Sequence, residues 1–190
     1  ARHVVKPWLY GFLDEEFSRK LNAIVSSGGS IECNFVASSP TGKQFRFSSS
    51  QVRDNSSKDT RQTFDGITYT IGADIYDYAY IRTSQTNGLP YDNNLSRTLP
   101  VQAKLTILGY PMGLGVNSSE DIHPLYSEAT VAREGLQNGL ILTTATTFEH
   151  GNSGGPVFAT TTDGELIVVG VVSAIAGRST GFVIPIASIQ

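Results

Sequence analysis

Apolar and polar positions change period several times along the chain, and each change predicts an element. Over Asp14–Ser26 (DEEFSRKLNAIVS) acidic residues open the segment, and Phe17, Leu21, Ile24 and Val25 recur at helical spacing. Gly28-Gly29 then stops it, so the pattern predicts a helix. From Ile31 the alternation shortens to that of extended chain and predicts strands over Ile31–Ala37, Gln44–Ser48 and Ile67–Ile71. Ser48–Thr63 is nearly devoid of apolar side chains and reads as a solvated loop. Ser84–Pro100, rich in Asn, Pro and Ser, reads as a crossover. Apolar strands follow over Ala103–Leu108, Ala129–Ala132 and Leu140–Thr144, with a long buried one over Leu166–Ala174. Strands separated by turns, with one helix near the start, predict an all-β fold and not a βαβ one.

Composition narrows the function classes. A chain of 190 residues has room for one or two small domains with a core. Its 39% hydrophobic and 16% charged residues are those of an ordinary globular protein. With 17 acidic and 14 basic residues the net charge is −3, which favours neither nucleic acid nor an anionic membrane. The longest apolar runs, such as Leu166–Val172, are too short to span a bilayer. Cys33 is the single cysteine, so the chain forms no internal disulfide; it alternates with apolar neighbours and is expected to pack. Histidines stand only at 3, 123 and 150, a spacing that predicts no metal site.

The chemistry concentrates in His150-Gly-Asn-Ser-Gly-Gly-Pro156, which runs into Val157 and Phe158. Glycines on both sides of Ser153 let the backbone bend into a tight turn. Such a turn can aim the amides of Gly151 and Ser153 into one small space beside the Ser153 hydroxyl. A nucleophile with two converging N–H donors is what acyl transfer requires: one group attacks a carbonyl, the others hold the oxyanion. The Gly-x-Ser-x-Gly of α/β-hydrolases is also satisfied, but that family needs a histidine after the serine and none follows Ser153.

At these residues the chain resembles the trypsin-like (chymotrypsin-fold) serine proteases. Ala1-Arg-His-Val-Val5 is similar to the segment carrying that family's catalytic histidine, which makes His3 the implied general base. Asp77-Tyr-Ala-Tyr-Ile81 is similar to the strand carrying its acid, which makes Asp77 the implied acid, with Asp74 as the alternative. The order His, Asp, Ser agrees with the family. Gly109-Tyr-Pro-Met-Gly113 and Gly181-Phe-Val-Ile-Pro185 resemble segments of the bacterial HtrA-like branch, near which the glutamyl endopeptidases also lie. Asn152 stands where animal trypsins carry the Asp that pairs with a new N-terminal ammonium, so control by zymogen cleavage is not expected.

The resemblance implies two packed Greek-key β-barrels. The first, over 1–90, would carry His3 and Asp77 and lack its N-terminal strands, with the helix near 14–26 as an insertion. The second, over 91–190, would carry Ser153, the oxyanion hole and the specificity pocket. A missing upstream segment would complete the first barrel. The implied pocket is lined by Thr147, Phe148, His150 and Ser173, Ala174, Ile175, none of them acidic, so cleavage after small or medium apolar residues is expected. The partner is then a polypeptide substrate, with no cofactor and no metal. The compartment implied is a bacterial periplasmic, secreted or intracellular one. A catalytically inactive barrel that binds peptides or a partner is the alternative.

Overall fold

In the computed structural model the described residues are 14–38, 41–54, 60–64, 67–71, 77–84, 88–111, 123–144, 148–149, 151–176 and 179–189. They fall into two units, one up to Arg82 and one from Thr83.

In the first unit, Asp14 opens the helix Glu15–Ser26 by accepting the Phe17 amide on Oδ1 at 3.1 Å. This satisfies one of the N–H groups that a helix start leaves without an intrahelical partner. Glu15 and Glu16 favour the positive end of the helix dipole and pair one turn on with Arg19 (2.8 Å) and Lys20 (2.7 Å). The buried side differs from the sequence expectation: Phe17 and Ile24 are largely exposed, whereas Asn22 is buried and donates through Nδ2 to the Ser18 carbonyl.

Strand β1 (Asn34–Ser38) pairs antiparallel with β2 (Gln44–Ser48), and Phe47 stacks on both Phe35 (5.1 Å between centroids) and Phe45 (5.8 Å). After a 3-10 turn at Ser49–Gln51 come β3 (Val52–Asp54), β4 (Thr60–Phe64), β5 (Ile67–Ile71) and β6 (Ala79–Ile81). Strand β3 pairs with β6 and β4 with β5, so the described sheets of this unit are all two-stranded. Ser48–Thr63, expected to be a loop, thus contains β3 and most of β4. The ladder is made by backbone groups, so a polar sequence can carry it without the apolar alternation that marks a strand.

The second unit is built around one sheet. Asp92 Oδ1 accepts the amides of Asn94 (2.7 Å) and Leu95 (2.9 Å) ahead of the short helix Leu95–Thr98. Strands β7 (Lys104–Gly109), β8 (Leu125–Thr130), β9 (Ile141–Thr144), β10 (Pro156–Thr160), β11 (Leu166–Ala176) and β12 (Thr180–Pro185) follow. Their spatial order is β8-β7-β10-β11-β12-β9, antiparallel throughout. Just past β8, Val131 bridges to Thr143 of β9, and the Ala132 amide donates to the Leu142 carbonyl at 2.8 Å. The sheet therefore curls until its two edge strands meet at one end, which removes part of the open edge a flat sheet would expose.

Alternation places Leu105 and Ile107 of β7, Ile141 of β9, Val157 and Ala159 of β10, and Val183 of β12 on the inner side with Val169 and Val172. Each fully buried side chain of this size contributes about 1.5–3 kcal/mol. This is the curled half-barrel sheet of an all-β fold. Two bulges interrupt the ladders, one between Val157 and Phe158 and one between Val172 and Ala174. The second leaves Ser173 as the extra residue, beside the turn that holds Ser153.

Candidate active site

The turn carrying Ser153 is held on three sides by backbone. Gly151 has φ +102°, a value that L-residues with a side chain rarely adopt, and a Cβ there would run into the Tyr110 carbonyl. From β7, Gly109 lets the Asn152 side chain pack directly against the strand, since a Cβ at Gly109 would occupy the place of Asn152 Oδ1. Asn152 is buried accordingly. The Gly154 amide donates to the Val172 carbonyl at 2.8 Å, and the Val172 amide donates back to Gly155 at 3.0 Å. The turn is thereby stitched to β11 one residue before the bulge.

The amides of the turn fall into two sets. Asn152 donates to Glu149 at 3.1 Å, and Gly155 donates to Asn152 at 2.8 Å. With Gly154 these three are engaged. Among the described residues, the amides of Gly151 and Ser153 donate to no other backbone group. Both residues line a cavity of about 370 Å³ whose walls include Gly109, Tyr110, Pro124 and Gly155. None of the described residues lining it carries a formal charge. A ligand in the cavity would lie against two residues whose N–H groups make no backbone hydrogen bond among the described residues.

Ser153 is half-buried, and its Oγ donates to the Ser173 carbonyl at 3.2 Å. The bulge is what makes that carbonyl available, since Ser173 falls outside the β11–β12 register. Ser173 is buried, whereas Ala174 and Ile175 beyond it are exposed. Phe148 is buried against the barrel core. The structure thus brings Gly151, Ser153 and Ser173 together. Asp77, buried ahead of β6, belongs to the other unit. His3, Asp74, Thr147 and His150 lie outside the described residues.

Three contributors were not singled out as site residues in the sequence. Gly109 and Tyr110 form a wall of the cavity; the glycine at the end of an apolar strand is the signal that could have found them. Gly181 lies beneath the Phe148 ring and beside Thr143, and no local pattern marks Thr143 as anything but a strand residue.

Residues 19–171 match the family model described as the trypsin-like peptidase domain, which is more than half of the chain. Among solved structures, one titled "Atomic resolution structure of HBP" is similar over 82% of this chain and 71% of that one, at 16% identity and a TM-score of 0.43. No curated protein sequence matches.

Proposed function

The chain belongs to the trypsin-like peptidase domain family, and we propose that within it the protein is a serine endopeptidase acting through Ser153, His3 and Asp77. The observation that supports this best is the division of amides in the Ser153 turn: those of Asn152, Gly154 and Gly155 donate to backbone carbonyls, whereas those of Gly151 and Ser153, two residues that line the cavity, donate to no backbone group among the described residues. His3 takes the Ser153 proton as Oγ attacks the peptide carbonyl, and Asp77 holds the imidazole in the required tautomer. The two amides hold the oxyanion, each contributing about 3–4 kcal/mol in the transition state. His3 returns the proton to the leaving amine, and water resolves the acyl-enzyme with the same base. Gly109–Gly113 and Gly181–Pro185 favour the HtrA-like branch. The uncharged cavity favours small or medium apolar side chains at the cleaved bond.

A second reading, a barrel that binds peptides without cleaving them, is favoured by the Ser153 hydroxyl being donated to the Ser173 carbonyl. Rotation about the single Cα–Cβ bond releases it, so the peptidase reading needs no change of backbone. Hydrolysis of an unfolded protein substrate tests the two. Ser153→Ala should abolish the activity, and Asp77→Asn should lower kcat about 10⁴-fold. The same loss from Asp74→Asn instead would assign the acid to Asp74. No hydrolysis by the wild type, or hydrolysis that survives Ser153→Ala, would overturn the proposal.

A further inference from the structure

We propose that Phe148 limits the side chain this site accepts to the size of alanine, serine or glycine, by filling the depth of the specificity pocket; the inference rests on the peptidase reading above. Strand β11 supplies the ruler. Its residue Ser173 accepts the Ser153 hydroxyl at 3.2 Å. Two residues on, Ile175 pairs with Gly181 of β12, and Gly181 pairs with Thr143 of β9. Partners across antiparallel strands share a face, so Ile175, Gly181 and Thr143 form one row. At about 3.3 Å per residue the row starts roughly 7 Å along the strand from Ser173, the reach of a substrate side chain attached beside the attacked carbonyl.

The middle of that row is a glycine, and the gap it leaves is occupied. A Cβ on Gly181 would lie 2.8 Å from Phe148 Cε2, 2.9 Å from Cζ and 2.6 Å from Thr143 Oγ1. The two ends of the row differ: Ile175 is 42% exposed and Thr143 fully buried. The open end is therefore at Ile175, and the ring closes the row over Gly181. Thr143 Oγ1 has no hydrogen-bond partner among the described residues, as fits a wall covered by an apolar ring. Phe148 belongs to the same buried cluster as Ile141, Val172 and Val183, and the packing of a core holds the ring in place. A substrate side chain passing Ser173 meets an aromatic edge before it has gone far. Alanine-sized groups fit above it; leucine, phenylalanine and the long basic side chains do not.

Peptidyl diphenyl phosphonates, which phosphonylate an activated serine, test this on the intact protein with alanine-like or phenylalanine-like groups at the recognised position. The wild type should react at Ser153 at least about tenfold faster with the alanine reagent, and Phe148→Ala should reverse the preference by a similar factor. Phe148→Leu, which keeps most of the packing, should gain about tenfold toward a valine reagent. The wild-type ratio decides the matter even if Phe148→Ala does not fold. Equal rates for the two reagents on the wild type would overturn the inference and leave the peptidase reading standing. No reaction of Ser153 with any phosphonate would sink the peptidase reading, and the inference with it.

Discussion

Among the described residues, the two units bury their apolar side chains very differently. From Thr83 onward one curled sheet encloses Leu105, Ile107, Ile141, Val157, Val169 and Val183, all but inaccessible to solvent. Up to Arg82 the described strands form three separate pairs, and Tyr78 is the apolar residue that reaches comparable burial among those described. Val36 and Phe45 on the first pair remain about half exposed. Two-stranded sheets are marginal by themselves, whereas a six-stranded sheet wrapped on a core is not. The difference teaches where preorganisation resides. Ser153 and the amides of Gly151 and Ser153 are held by the well-packed unit, while Asp77 lies two residues ahead of the three-residue strand β6 in the other.

The largest effect expected from breaking this arrangement is at Gly151. Gly151→Ala would add a Cβ against the Tyr110 carbonyl at φ +102°, so the turn must move. A displacement of about 1 Å costs on the order of 10²-fold in rate, which kcat/KM on a peptide substrate would show. Folding should survive, because the six strands do not depend on the turn.

Next come paired truncations, one in each unit. Ile107→Ala, at a position with no exposure, should cost about 2–5 kcal/mol in urea unfolding. Phe45→Ala, on the open β1–β2 pair, should cost under about 1 kcal/mol because the ring is already half in water. Equal costs would mean that the first unit holds a core the exposure values do not reveal. Hydrogen exchange sharpens the same contrast without mutation. Amides of β10, β11 and β12 should exchange at least about a hundredfold more slowly than those of β1 and β2.

The smallest effect is local. Asp14→Ala removes the acceptor for the Phe17 amide and should cost about 1 kcal/mol or less of helix stability, read as increased fraying by circular dichroism. Activity carried by Ser153 should not change.

The sequence was most legible where local pattern and tertiary demand agree. Gln44–Ser48 and Ile67–Ile71 have the bounds that alternation predicts, and the helix begins where Asp14 caps it. The bend at Ser153 was legible because glycines announce it directly, and Gly151 and Gly154 both have positive φ. Pattern failed where backbone pairing acts alone: β3 and β4 lie in a polar stretch, since ladder hydrogen bonds ask nothing of the side chains. It also failed on the helix face, where Asn22 is buried and Phe17 is not. Asn22 can be buried because its amide bonds the Ser18 carbonyl, a contact that hydrophobicity does not register. The place of Phe148 over Gly181 depends on a pairing between residues 38 positions apart (181 − 143), and no local window contains it.

The central claim is that Ser153 is an activated nucleophile beside a formed oxyanion hole. Labelling of the intact chain with a fluorophosphonate, with the modified residue identified by mass spectrometry, tests it most directly. Stoichiometric modification at Ser153, abolished by Ser153→Ala and strongly slowed by His3→Ala, is the result this account predicts. A folded wild-type protein whose Ser153 stays unmodified would contradict it and leave a peptide-binding barrel in its place.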